Sequence, residues 1–188
     1  MKKFFLAIDL PENIKNAVRD KFANIQKRHQ ILNWVDVERY HINLFFFKDK
    51  SKTKEDIVSA IENGIFDKDP FSLKFNTGVI TAYDTLSLMT ISLSAHYKKP
   101  LKHIREAIED SIESEYRAIY EPHVVIATSK IPSKQQYFHL KNIIEKINAE
   151  NISFDVENLT LYEMDDTKSK SNQYIPVRNF KLEMLPDV

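Results

Sequence analysis

The order of apolar periodicities in the second half of this chain nearly repeats the order in the first, and that echo constrains the fold more than any other feature. The first half reads strand, helix, histidine-bearing strand, helix, strands; the second reads helix, histidine-bearing strand, helix, strands. Tyr40-His41-Ile42-Asn43-Leu44-Phe45-Phe46-Phe47 is the first histidine strand and Pro122-His123-Val124-Val125-Ile126-Ala127 the second. Strands and helices mixed without strict alternation predict an α+β fold. The echo predicts two pseudo-symmetric lobes of antiparallel strands with outer helices, side by side, with one histidine strand in each. No linker or low-complexity segment separates them, so residues 1–188 are expected to form a single two-lobed domain.

The helices follow from spacing. After a buried strand over residues 3–9, Pro11-Glu12 suits a first helical turn. Ile14, Ala17, Val18, Phe22 and Ile25 then recur every three or four residues, before Lys27-Arg28-His29 at the C-terminal end. Ile57, Val58, Ile61 and Ile65 predict a second helix over Asp56 to Ile65, ended near Gly64. Leu101, Ile104, Ile108 and Ile112 mark a third from Lys99 to Tyr116, and Tyr137, Leu140, Ile143, Ile144 and Ile147 a fourth from Ser133 to Ala149. Between them, Phe71 to Phe75 and Leu86 to Leu93 alternate with period two as half-buried strands, with Tyr83-Asp84 as the turn. Ile152 to Met164 and Tyr174 to Met184 read as two further strand regions around a polar, mobile loop from Asp165 to Asn172.

Composition removes several function classes. There is no cysteine, which excludes disulfides, thiolate nucleophiles and cysteine-ligated metals, and makes the cytoplasm the expected compartment. Lys plus Arg and Asp plus Glu both number 27, so no global field draws the chain to nucleic acid and any phosphate binding must be local. With only Gly64 and Gly78, the glycine-rich phosphate loops of nucleotide-binding folds are excluded. No apolar run approaches the roughly 20 residues that span a bilayer, so no membrane association is expected. The opening apolar stretch is stopped by Asp9 and Pro11, which reads as a strand and not a signal peptide.

Side chains alternate along a strand, which puts His41, Asn43, Phe45 and Phe47 on one face and His123, Val125 and Ala127 on one face of the other strand. If both faces line one groove, two imidazoles meet across it. Imidazole exists neutral and protonated near pH 7, so such a pair has the makings of a general base and a general acid. A single histidine in an apolar strand is more commonly a satisfied structural residue; two in matched contexts favour chemistry. His29, His96, His103 and His139 have no matched partner. A pair of histidines alone is a poor metal site, so neither metal nor cofactor is expected.

These residues resemble the two-histidine phosphoesterase superfamily, and within it the RNA 2',3'-cyclic phosphodiesterases, also known as 2'-5' RNA ligases, which carry two His-x-Thr/Ser-x motifs. Phe4-Phe5-Leu6-Ala7-Ile8-Asp9-Leu10-Pro11 resembles the opening strand and turn, and Trp34-Val35 the tryptophan before the first motif. Tyr120-Glu121-Pro122-His123 resembles the approach to the second, and Glu157-Asn158-Leu159-Thr160-Leu161-Tyr162 the late strand entering the groove. The resemblance implies a bilobal fold around a central cleft. It implies that one of His41 and His123 is the base on water and the other the acid on the leaving ribose oxygen, without metal. The Thr or Ser two residues after each histidine would donate to phosphate oxygens.

The chain departs from that pattern where the phosphate would be held. Asn43 and Val125 stand at the two Thr/Ser positions; an amide can still donate, whereas valine cannot. Phe45 and Thr128 stand where basic residues often follow, with Lys130 as the cation expected to reach in. A hydroxyl restored at position 125 is expected to raise turnover about 10- to 100-fold, the worth of a hydrogen bond to a charged group. Two functional readings are therefore open, beside a third in which the fold is a scaffold and both histidines are structural. One is a metal-independent phosphodiesterase that opens a cyclic phosphate or cleaves a related 2'-5' linkage. The other is a catalytically weak homologue that binds RNA ends or nucleotides in the cleft, with Phe45, Phe47 and lysines supplying stacking and charge. RNA ends or small cyclic nucleotides are the expected partners of either, and a monomer the expected state.

Overall fold

The computed structural model describes residues 3–47, 52–83, 87–96, 99–112, 120–165 and 174–183. The elements run β1 (Lys3–Asp9), α1 (Glu12–Arg28), a two-residue β2 (Asn33–Trp34), β3 (His41–Phe47), α2 (Lys54–Ile65), β4 (Phe71–Tyr83), β5 (Leu88–Ala95), α3 (Lys99–Ser111), β6 (His123–Lys130), α4 (Lys134–Ile144), β7 (Ser153–Val156), β8 (Asn158–Met164) and β9 (Tyr174–Lys181). The fold is α+β, as the mixed periodicities predict. None of the helices described is long and apolar enough to cross a membrane.

One antiparallel sheet runs in the order β7-β4-β5-β6-β3-β1-β8-β9, with β2 alongside β6. The two histidine strands, β3 and β6, are its central pair, and three strands extend from each. Those two wings are the lobes, but they are not the two halves of the chain. The region read as one strand from Ile152 to Met164 breaks at Glu157 into β7, which pairs with β4 in one wing, and β8, which pairs with β1 in the other. Strands separated by a single residue yet near opposite ends of the order require a sheet that curls strongly on itself.

Helix ends differ from the periodic pattern where caps decide them. A capping box between Thr53 and Asp56 starts α2 two residues before the apolar spacing does, and its two bonds from Thr53 hold the Asp56 carboxyl below its ordinary value. The helix ends at Ile65, beside Gly64 as expected, though Gly64 is not its cap. It lies within α2, where an added Cβ would come 2.6 Å from Ile108 Cγ1, so the glycine allows α2 and α3 to pack closely. A second capping box, Ser133 with Gln136, starts α4, which stops at Ile144. The chain beyond it turns under β4, where Ile147 O accepts from Gly78 N at 3.1 Å. The Tyr116 end of the third helix, Asp84 of the expected turn, residues 166–172 of the polar loop and Met184 lie outside the described residues.

The core lies between one face of the sheet and the helices. Leu6, Ile8, Ile42, Leu44, Ile91, Leu93, Val124 and Ile126 from the strands meet Val18 and Phe22 of α1 and Leu101, Ile104 and Ile108 of α3, all buried. At about 1.5–3 kcal/mol for each large side chain, this burial is what holds the curl. The opposite face of the sheet is left to carry the polar and aromatic groups.

Candidate active site

β3 and β6 meet at a single register pair, Ile42 opposite Val124, both wholly buried on the core face. One residue either way, alternation turns His41, Asn43, His123 and Val125 to the other face, with His41 beside Val125 and Asn43 beside His123. The two histidines are therefore diagonal neighbours on one face, a placement whose typical separation is about 7–8 Å, with the Cβ atoms somewhat closer. Past this contact the strands part. β6 continues against β2, with Val35 N donating to Ile126 O at 2.9 Å. The carbonyls of β3 that lose their neighbour are taken by side chains: Tyr120 OH donates to Asn43 O at 2.7 Å and Arg105 Nη1 to Leu44 O at 3.4 Å.

Both rings are held in the same way. His41 Nδ1 lies 2.7 Å from Arg39 O, and His123 Nδ1 lies 2.8 Å from Glu121 O, in each case the carbonyl two residues back. A carbonyl only accepts, so Nδ1 carries the hydrogen and Nε2 is left as the reactive atom of each neutral ring. His41 Nε2 lies 3.2 Å from the Asn43 side-chain oxygen. An amide can serve either protonation state there, accepting from Nε2–H or, turned over, donating to bare Nε2. Burial pushes the His41 pKa below its ordinary value, against the opposing pull of Arg39 O and the Asp9 carboxylate.

A β-bulge follows each histidine at the same offset. Leu44 is the extra residue where β3 pairs with β1, since Leu6 faces Phe45 but Ala7 faces Asn43. Ile126 is the extra residue where β6 pairs with β5, since Ile91 faces Ala127 but Ser92 faces Val125. Each bulge reverses the alternation beyond it. That corrects the placing of Phe45 and Phe47 in the groove: both are buried in the core, their rings 4.9 Å apart, while Phe46, 47% exposed, takes the histidine face. On β6 the same reversal buries Ala127 and brings Thr128 opposite Thr90. Lys130 stands at the far end of β6, opposite Leu88 and about 23 Å along the strand from His123, so it does not join the pair.

The register adds groups that the sequence reading left without roles. Asp9 is the β1 partner of His41. Both of its oxygens accept from β8, one from Thr160 Oγ1 at 2.7 Å and the other from Tyr162 OH at 2.8 Å, and burial together with this carboxylate raises the Tyr162 pKa. Around His41 the rings of Phe5, Tyr162 and Tyr174 lie at 5.5, 6.5 and 5.7 Å, with Phe46 against Phe5 and Arg39 4.5 Å over Tyr174. The β6 side differs. There His123 opens on a cavity of about 230 Å³ whose wall carries Thr81, Thr90, Ser92 and Ser94. Asp9, Thr160 and Tyr162 do fall within the strand fragments that carried the resemblance. Their meeting with His41 depends on cross-strand register, for which the sequence holds no local signal.

The sequence and the fold match known proteins. The sequence model of the 2'-5' RNA ligase superfamily fits residues 11–168, a span that takes in both histidine strands. The same fold occurs in the crystal structure of TT0787 of Thermus thermophilus, at 14% identity and a TM-score of 0.68 over 97% of this chain and 98% of that one. It occurs in E. coli LigT complexed with 3'-AMP, at 16% identity and 0.66 over 96% and 97%. It occurs also in Kluyveromyces marxianus Usb1, at 13% identity and 0.57 over 85% and 92%. Among curated proteins none matches the sequence closely. With a curled antiparallel sheet centred on paired histidine strands and a matching sequence model across both of them, the chain belongs to the 2'-5' RNA ligase superfamily of LigT-like two-histidine phosphoesterases.

Proposed function

We propose that this protein opens RNA 2',3'-cyclic phosphates, or cleaves a related 2'-5' linkage, with His41 and His123 as the acid–base pair. The observation that carries the reading is the matched setting of the rings. Each gives Nδ1–H to the carbonyl two residues back, on central strands whose register puts both on one face. His41, kept neutral by burial, takes the base role: its Nε2 receives a proton as the water oxygen attacks phosphorus. The bond from phosphorus to the ribose oxygen breaks as His123 Nε2–H delivers its proton to that oxygen. The product is a phosphomonoester with a free ribose hydroxyl, and exchange of protons with solvent resets both rings. The rings around His41 offer stacking surface to a base, and Arg39 a positive charge near the phosphate.

The test is turnover of 2',3'-cyclic AMP. Loss of either base or acid typically costs 10²–10⁴-fold, so His41→Ala and His123→Ala should each abolish measurable activity, while EDTA leaves the wild type unchanged. Turnover abolished by EDTA and restored by a divalent ion would refute the imidazole mechanism. The second reading, a binding module, is favoured by Val125, which offers the phosphate no donor. Its mark is saturable binding of 3'-AMP that depends on both histidines, with no hydrolysis.

A further inference from the structure

The missing hydroxyl of the second motif has a neighbour that can stand in for it. Ser92 of β5 is the cross-strand partner of Val125, and Ser94 that of His123. Directly opposed side chains share a face with Cβ atoms about 4.5–5.5 Å apart, so Ser92 presents its hydroxyl one strand over from position 125 on the same side of the sheet. The two serines differ in what they touch. Ser94 Oγ donates to Thr77 O at 2.9 Å and accepts from Thr77 N at 3.3 Å, so it is engaged in holding β4 to β5. Ser92 lines the cavity beside His123, is only 4% exposed, and its hydroxyl bonds to none of the described residues.

No fully buried side-chain oxygen among the described residues lacks a partner, so the Ser92 hydroxyl keeps contact with the cavity and can donate to a ligand oxygen that enters it. The cavity wall carries neither Lys nor Arg among the described residues, so donors to a ligand oxygen there are neutral hydroxyls and His123. The site relies on such donors where charge develops on phosphoryl oxygens. We propose that Ser92 donates the hydrogen bond to the phosphoryl oxygen for which the family pattern uses the Thr or Ser at position 125. The inference rests on the phosphodiesterase reading above, and it makes Ser92 a substrate-binding residue displaced by one strand from the motif.

Steady-state hydrolysis of 2',3'-cyclic AMP by Ser92→Ala, Val125→Thr and the double variant tests it, with thermal melts of each. Ser92→Ala should lower kcat/KM about 10- to 100-fold with its melting temperature kept, and Val125→Thr should recover most of that loss in the Ser92→Ala background. In the wild-type background Val125→Thr should then gain far less than the 10- to 100-fold expected of an unfilled clamp. The inference is overturned if Ser92→Ala stays within about twofold of wild type while the histidine variants are inactive, or if the double variant recovers nothing. If the wild type shows no histidine-dependent turnover, it is the phosphodiesterase reading that fails. Calorimetric titration with 3'-AMP then decides on Ser92: binding weakened about tenfold or more in Ser92→Ala supports the phosphate contact, and unchanged binding overturns it.

Discussion

Replacing Glu109 by leucine should be among the most destabilising single changes in the chain that leave both histidines in place. Glu109 Oε1 accepts from Arg105 Nε at 3.0 Å and lies 2.9 Å from Nη2, and the two side chains are only 6% and 13% exposed. Such a pair is little screened, and removing one partner leaves a buried charge, which costs about 3–5 kcal/mol. The lower part of that range applies, because Arg105 keeps the Leu44 carbonyl and its stacking 4.5 Å over the Tyr120 ring. For a domain of this size 1 kcal/mol moves the melting temperature about 2–4 °C, so a fall of roughly 6–15 °C is expected. The partner change separates charge from packing. In Arg105→Met/Glu109→Leu no charge is left uncompensated, and stability should return to within about 1 kcal/mol of wild type. Activity should not return with it, since Arg105 and Tyr120 serve the β3 carbonyls at the bulge that aims Asn43 and Phe46. Urea melts and cyclic-nucleotide turnover measured on the same samples decide the matter. A Glu109→Leu protein as stable as wild type, or a double variant as unstable as the single, would show that buried charge is not what this pair manages.

Other consequences are more local. In Gly78→Ala the new Cβ would lie 2.3 Å from the Ile144 carbonyl oxygen, a backbone atom that cannot swing away, so urea melts should show a loss of about 1–3 kcal/mol or more. His41 has its folded pKa below the unfolded value near 6.5, so as pH falls through that window the unfolded chain takes the proton first. Wild-type stability should decline from about pH 6.5 downward, with that segment absent in His41→Gln; parallel curves for the two proteins would refute it. Asp9→Asn removes a charge that favours the protonated ring, so NMR titration should find the His41 pKa lower still, and the acidic limb of the rate profile should move the same way.

The sequence by itself determined what short-range chemistry controls. Apolar spacing placed four helices and both histidine strands. Alternation then put His41 with Asn43 and His123 with Val125, because those pairs sit on the strand before anything interrupts its pleat. It determined equally that Asn43 and Val125 replace hydroxyl residues. The bulges at Leu44 and Ile126 were beyond it, since a bulge exists only relative to a partner strand, and they are why Phe45 and Phe47 are core residues while Phe46 is not. The capping boxes at Thr53 and Ser133 were written in the local sequence, the second at the expected start of α4 and the first able to move the start of α2 back to Lys54; the role of Gly64 was not, because it depends on where Ile108 of another helix lies. Only the tertiary structure set Asp9 against His41, divided the region around Glu157 between the two lobes, and put Ser92 opposite Val125. Each of those contacts joins residues whose proximity is fixed by antiparallel register across a curled sheet, a relation between distant segments that no window of sequence carries.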